Sequence, residues 1–221
     1  MREYMRVPVD HLIKSEKLSL DQMAMVECLG IGAHAVRRSQ LVEGEVAMII
    51  GAGPIGMGIM QFAKKTGAKV IVMDILEDRL KFCRDHFKVD DIINAQRDPL
   101  KELESITNGD YPHVVFDAPG NAKSMMKAFN LVAHGGRLVL VSLVQEKITF
   151  YDPDFHRREL TLMSSRNATR DDLEYVIHSL EQGKVDATSF ITHRVNFDKV
   201  ISQFESWLKP ETGVIKAMIE L

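Results

Sequence analysis

Apolar positions follow two rhythms along this chain. From Gly44 onward, short runs of consecutive apolar residues alternate with stretches whose apolar positions recur at helical spacing. The runs predict strands at Val46–Ile50, Val70–Met73, Asp91–Ile93, Val114–Phe116, Leu138–Val141 and Leu160–Met163. Helical spacing predicts helices near Ile55–Lys65, Glu77–His86 and Asn121–Val132, and Gly135-Gly136 turns the chain back into the fifth strand. Strands that read as unbroken apolar runs are covered on both faces, so the alternation predicts an α/β fold with a doubly wound, parallel, six-stranded sheet.

The flanks read differently. Tyr4-Met5-Arg6-Val7-Pro8 suits an edge strand, because proline is tolerated only at sheet edges, and a helix is predicted near Leu20–Arg38. After the sixth run come a helix near Asp171–Gln182 ended by Gly183, an extended Ile191–Asn196, a helix near Phe197–Leu208 broken before Pro210, and a final strand Val214–Ile219. These flanking elements are expected to belong to a second unit whose main body lies outside this chain. No internal repeat and no low-complexity segment interrupts the pattern.

The densest chemical signal sits between the first two runs. Val46–Ile50 leads into Gly51-Ala52-Gly53-Pro54-Ile55-Gly56, a helix follows, and the second run stops at Asp74. Gly51 permits the tight turn, Gly53 lacks a side chain that would block a pyrophosphate, and Gly56 lets the helix lie close to the sheet. Pro54 fits the first helical turn, whose free N–H groups and positive dipole end suit a diphosphate. Asp74 stands where a carboxylate can accept both ribose hydroxyls of an adenosine, and it would repel a 2′-phosphate, so NAD is expected rather than NADP. A glycine-rich turn that merely joins strand to helix would not also require the second strand and its terminal acid.

Composition narrows the setting. The chain has 221 residues, 45% of them hydrophobic and 27% charged, with a formal net charge of −3, which suits one large or two small domains and offers nothing to nucleic acid or to a membrane surface. Cys28 and Cys83 cannot build a disulfide framework, so a reducing compartment is expected. No apolar run is long enough to span a bilayer, and Met1-Arg2-Glu3-Tyr4 lacks the apolar core of a signal peptide. The expected location is the cytoplasm.

Taken together, Glu27 with Gly32-Ala33-His34-Ala35-Val36-Arg37-Arg38, the glycine loop through Met57, Asp74 with Arg79, Asp117-Ala118-Pro119-Gly120 and Gly135-Gly136 resemble the zinc-dependent medium-chain alcohol and polyol dehydrogenases. The resemblance covers essentially the whole chain. More narrowly, Phe150-Tyr151-Asp152-Pro153-Asp154-Phe155-His156 and Ser165-Arg166-Asn167-Ala168-Thr169 look like the L-galactonate (L-gulonate) 5-dehydrogenase branch beside sorbitol dehydrogenase. The resemblance implies an NAD-dependent oxidoreductase that moves a hydride between NAD and a secondary alcohol of a polyol or hexonate. It also implies a homo-oligomer joined through sheet edges, and zinc as a second cofactor in the intact enzyme.

In such enzymes zinc is held mainly by an early Cys and a His-Glu pair in a GroES-like catalytic domain, so the chain is expected to be N-terminally truncated. Residues 1–28 would be a remnant of that domain, 29–163 the Rossmann NAD-binding domain, and 164–221 a segment returning to the catalytic domain. The resemblance makes Glu27 a zinc ligand or a holder of the zinc-bound water. The same residue reads equally as a solvated helix-entry carboxylate, and the Cys28 beside it, standing where proline is usual, as a small buried hydrophobe.

Several other residues gain roles by resemblance. Ala118 would wall the adenine or ribose site, and Val141 and Leu143 would flank backbone groups offered to the nicotinamide carboxamide. Arg79 would lie against the adenosine ribose, or else be an exposed helix arginine beside Glu77 and Asp78. Arg166 would approach substrate, where its fork suits a sugar-acid carboxylate. Asp117 serves either the ligand cleft or a helix N-cap. Arg157, Arg158 and His156 read as surface charges, and His34 as a satisfied core histidine. Two further functions remain: a non-catalytic NAD-binding or regulatory module, and a zinc-free quinone-type reductase using NADPH, against which Asp74 speaks.

Overall fold

A computed structural model of the chain describes residues 4–221. Met1, Arg2 and Glu3, which open the first expected segment, lie outside the described residues. Six strands, β1 (Val46–Ile50), β2 (Lys69–Asp74), β3 (Asp91–Asn94), β4 (Val114–Asp117), β5 (Arg137–Leu140) and β6 (Thr161–Ser164), form one sheet in the order β3-β2-β1-β4-β5-β6. Every neighbouring pair is parallel. The chain leaves β1 to one side for β2 and β3 and returns to the other for β4 onward, so β1 and β4 flank the switch point where such sheets bind ligands.

The helices are α1 (Leu20–Ser39), α2 (Pro54–Lys65), α3 (Glu77–Phe87), α4 (Pro99–Thr107), α5 (Ala122–Ala128), α6 (Asp152–Arg157), α7 (Arg170–Glu181) and α8 (Val200–Trp207). Burial on both faces explains the unbroken apolar runs. Ala47 and Ile49 of β1 join the core shared with α1, α2 and α7, while the alternate residues Met48 and Ile50 join the one shared with Leu103 of α4 and Ala128 of α5. On the first face, α1 and α2 meet backbone to backbone. A Cβ on Gly32 would stand 2.6 Å from the carbonyl carbon of Gly58, so only glycine fits there.

Two reciprocal caps fix the entries of α1 and α7: Ser19 with Gln22, and Thr169 with Asp172. Asp172 also clamps the two helices together. Its carboxylate accepts from Arg37 Nε (2.7 Å) and Nη2 (3.0 Å) and pairs with His34 Nδ1 (2.8 Å), which makes His34 the satisfied histidine expected. Burial alone would raise this carboxyl, but the bonds from Arg37, Thr169 and His34 outweigh it and hold Asp172 well below the ordinary carboxylate range.

The C-terminal strands β7 (Ile191–Asn196) and β8 (Lys216–Glu220) form a separate two-stranded parallel sheet. Arg194 ties β7 to Glu220 of β8 and to Asp21 at the start of α1.

Some expectations fail. Tyr4–Pro8 is not a strand: it runs without a partner into a single 3-10 turn at Val9–His11, with Met5 77% exposed. The helix expected over Asn121–Val132 stops at Ala128 and tightens into a 3-10 turn, Phe129–Leu131. Helices α4 and α6 were not anticipated. Glu27 is not at a helix entry, since α1 begins at Leu20 and continues unbroken to Ser39.

Candidate cofactor-binding site

The turn from β1 into α2 follows the chemistry of its glycines. Gly51 has φ +97°, and a Cβ there would come within 3.1 Å of Pro119 N, so the turn packs against the segment leaving β4. A Cβ on Gly56 would lie 1.9 Å from the Gly51 carbonyl oxygen, which bars any other residue and seats the first turn of α2 on the loop. Gly53 differs, because a Cβ there would meet only Arg79 Nη1, at 3.8 Å. Its free side is open space beside the helix start.

Gly53 is the N-cap of α2, Pro54 follows within the first turn, and no side chain caps the helix. The first N–H groups of α2, with Ile55 half-buried among them, therefore have no side-chain acceptor and keep the positive end of the helix available to an anion.

Asp74, the last residue of β2, reaches the same loop. Its Oδ2 accepts from the Ala52 N–H (2.6 Å) and its Oδ1 from the Leu76 N–H (2.8 Å). Each oxygen retains further acceptor capacity, so a pair of ribose hydroxyls can be received by a carboxylate already locked in place. Arg79 is half-buried and donates to the Ala52 carbonyl (3.4 Å) and the Val214 carbonyl (2.9 Å), tying the glycine loop to the chain before β8. It is not the exposed helix arginine that was one of its two readings.

Across the switch point, Asp117 ends β4 between Ile50 of β1 and Leu140 of β5. It is fully buried and does not cap α5; Asn121 does, accepting from the Ser124 N–H at 3.1 Å. Asp117 instead accepts from the Ser124 hydroxyl (2.6 Å) and the Ser142 hydroxyl (3.4 Å). Burial pushes its carboxyl up to about 6, against the pull of the two serines. Ala118 is half-buried beside it, with its N–H on the Ile50 carbonyl (3.0 Å). Val141 is half-buried with its N–H on the Asp117 carbonyl (2.9 Å), and Leu143 is 84% exposed. Gly51, Gly53, Asp74, Ala118 and Val141 thus gather at the carboxyl end of the sheet.

Glu27 and Arg166 stand apart from one another in the sequence and make no shared contact. Glu27 is exposed on α1, and Arg166 is exposed just beyond β6. The buried thiol of Cys28 is pushed up by desolvation, and further by Glu27, against the pull of Lys216, so it is a poor thiolate donor. No group of three His, Cys, Asp or Glu side chains suited to a metal forms among the described residues. The described residues therefore fit a dinucleotide and do not fit a zinc ion.

Comparison with known proteins decides the family. The family model described as zinc-binding dehydrogenase matches residues 54–182. This chain belongs to that family. It is 34% identical over 98% of its length to the L-galactonate-5-dehydrogenase of Escherichia coli (strain K12), of which it covers 64%, and 32% identical over 83% to the L-idonate 5-dehydrogenase of Vitis vinifera, covering 51%. Among solved structures, an Escherichia coli alcohol dehydrogenase (rspB) complexed with NADH superposes with a TM-score of 0.82 at 29% identity, over 90% of this chain and 60% of that one. The chain spans less than two thirds of the length of these relatives. No helix among the described residues is long and apolar enough to cross a membrane.

The serine partners of Asp117 escaped sequence reasoning. They lie 7 and 25 residues away, and no periodicity links them. The only available signal was a carboxylate at the end of an otherwise apolar run.

Proposed function

We propose that this chain binds NAD(H) at the β1–α2 turn and serves an NAD-dependent oxidoreductase acting on a secondary alcohol of a polyol or sugar acid. The carrying observation is Asp74, whose carboxylate is fixed by the Ala52 N–H at the mouth of an uncapped helix beside the open Gly53. In this reading residues 29–163 are the cofactor domain, Ala118, Val141 and Leu143 border the adenosine and nicotinamide ends, and Arg79 holds the loop from behind. Arg166 would receive the carboxylate of a hexonate. Zinc chemistry would need ligands beyond Glu27, the candidate that the described residues offer.

The relatives' names support the substrate class: both act, by name, at C5 of a hexonate. Calorimetric titration is the test. NAD(H) should bind more tightly than NADP(H), and Asp74→Ala should erase the difference; tighter NADP(H) binding by the unaltered chain would sink the reading. The exposed edge at β6, with Leu162 41% exposed, also favours strand pairing with a second copy. Sedimentation at micromolar concentration should show a dimer, and a strict monomer would remove that part of the proposal.

A further inference from the structure

Among the described residues Asp117 is the one fully buried carboxylate in the sheet, and cofactor binding as described makes no use of it. It has no cationic partner among the described residues. Its carboxylate meets only two hydroxyls, yet those hydroxyls come from the two segments that leave the sheet on either side of it: Ser124 from the start of α5 and Ser142 from the stretch after β5. The same residue grips Ser142 a second time, since the Asp117 carbonyl accepts from the Val141 N–H (2.9 Å) and the Ser142 N–H (3.3 Å). A Cβ on Gly120 would lie 4.0 Å from Ser142 Cβ, so the turn after β4 runs close to the stretch after β5.

We propose that Asp117 is a positioning residue for the dinucleotide site: ionised, it holds the segment after β5 against the β4–α5 turn, and its protonation releases that segment and weakens cofactor binding. The inference rests on the NAD(H) reading above. Its physical basis is that hydrogen bonds to an ionised acceptor are about twice as strong as neutral ones, so a carboxylate can fix Ser142 where a neutral carboxyl cannot. Burial places the change of state near neutrality instead of in the acid range.

No other charge intrudes. Its neighbours across the sheet are Ile50 and Leu140, the turn after β1 carries Ala52 and Gly53, and the charged residues of the adjoining segments, Lys123 and Lys127 on α5 and Glu146 and Lys147 after β5, are exposed and contribute nothing to the shift.

The test is NADH and NAD+ affinity of the full chain between pH 5 and 8, with circular dichroism confirming the fold at each pH. Both forms should bind about tenfold more weakly at pH 5 than at pH 8, the worth of one charge-assisted hydrogen bond. Asp117→Asn should be flat across the range at the weak, acidic value. Ser142→Ala, which leaves the carboxyl in place and is expected to fold even where the first variant does not, should lose most of the step. A step that survives undiminished in either folded variant overturns the inference, as does a flat profile in the unaltered chain. A step for NAD+ without one for NADH overturns it too, because a charge acting through space would distinguish the two rings while a loop would not. Absence of binding at every pH refutes the cofactor reading itself, and the inference with it.

Discussion

Two aspartates, buried to nearly the same degree, are treated in opposite ways. Asp172, 2% exposed in the seam between α1 and α7, is met by Arg37, His34 and Thr169 and held far below its ordinary value. Asp117, 0% exposed at the carboxyl end of the sheet, is met by two hydroxyls and raised to about 6. Burial penalises both charges, so the donors decide the outcome. The seam spends its polar groups on one another. The cleft leaves an uncapped helix, an open glycine and an underserved carboxylate, which is how a surface looks when a ligand is expected to complete it.

The sharpest way to break this contrast is to remove the clamp. Asp172→Ala strips the partner from Arg37, His34 and the cap of α7, and should lower stability by about 3 kcal/mol, measured by urea unfolding near neutral pH. Because this carboxyl is depressed in the folded chain, its contribution is present in full above the unfolded value of 3.8 and is lost as pH falls below it. The difference between the variant and the unaltered chain should therefore be constant from pH 8 to 5 and shrink only in stronger acid. Cofactor affinity should move little. A large loss of binding with intact stability would mean that the seam belongs to the site.

The reverse experiment is made in the cleft. Gly53→Val places a branched side chain where only open space and Arg79 Nη1 lie, so the fold should be unaffected by circular dichroism and urea. NAD(H) affinity should fall by about a hundredfold, near 2.7 kcal/mol. Normal binding by a folded variant would show that the pyrophosphate does not lie over this turn.

The contrast also marks what the sequence could and could not convey. The cleft's frame was legible because it is local: an apolar run, three glycines, a helix and Asp74 all fall within about thirty residues, and each is required by backbone geometry that only certain residue types allow. The six strands and their parallel arrangement were legible for a related reason, as burial on two faces leaves unbroken apolar runs in the central strands β1, β2 and β4. The clamp was not, because Arg37 and Asp172 are 135 residues apart and only the folded chain brings them together. Helix α4 was missed although Leu100, Leu103 and Ile106 recur along it at helical spacing, and α6 escaped because it has only six residues and buries none of them. Tyr4–Pro8 misled because proline-compatible extended chain looks the same whether or not an edge exists to receive it.

The smallest expected effect concerns Asp117 alone and runs opposite in sign to that of Asp172. Its folded value of about 6 lies above the unfolded 3.8, so the folded chain binds the proton more tightly and stability declines as pH rises between those values. The full penalty of the buried charge is then about 3 kcal/mol above pH 6. Asp117→Asn removes the charge but leaves an amide group among hydroxyls that satisfy it only in part, so the net gain should be about 1 kcal/mol at pH 8. At pH 4, where the native residue is already neutral, the variant should be no more stable than the unaltered chain. Urea midpoints at the two pH values decide it. A variant that is destabilised at pH 8, as Asp172→Ala is, would mean that Asp117 is a second structural clamp. A gain confined to high pH, accompanied by weaker NADH binding, would show that the cleft keeps a destabilising charge because the cofactor site uses it.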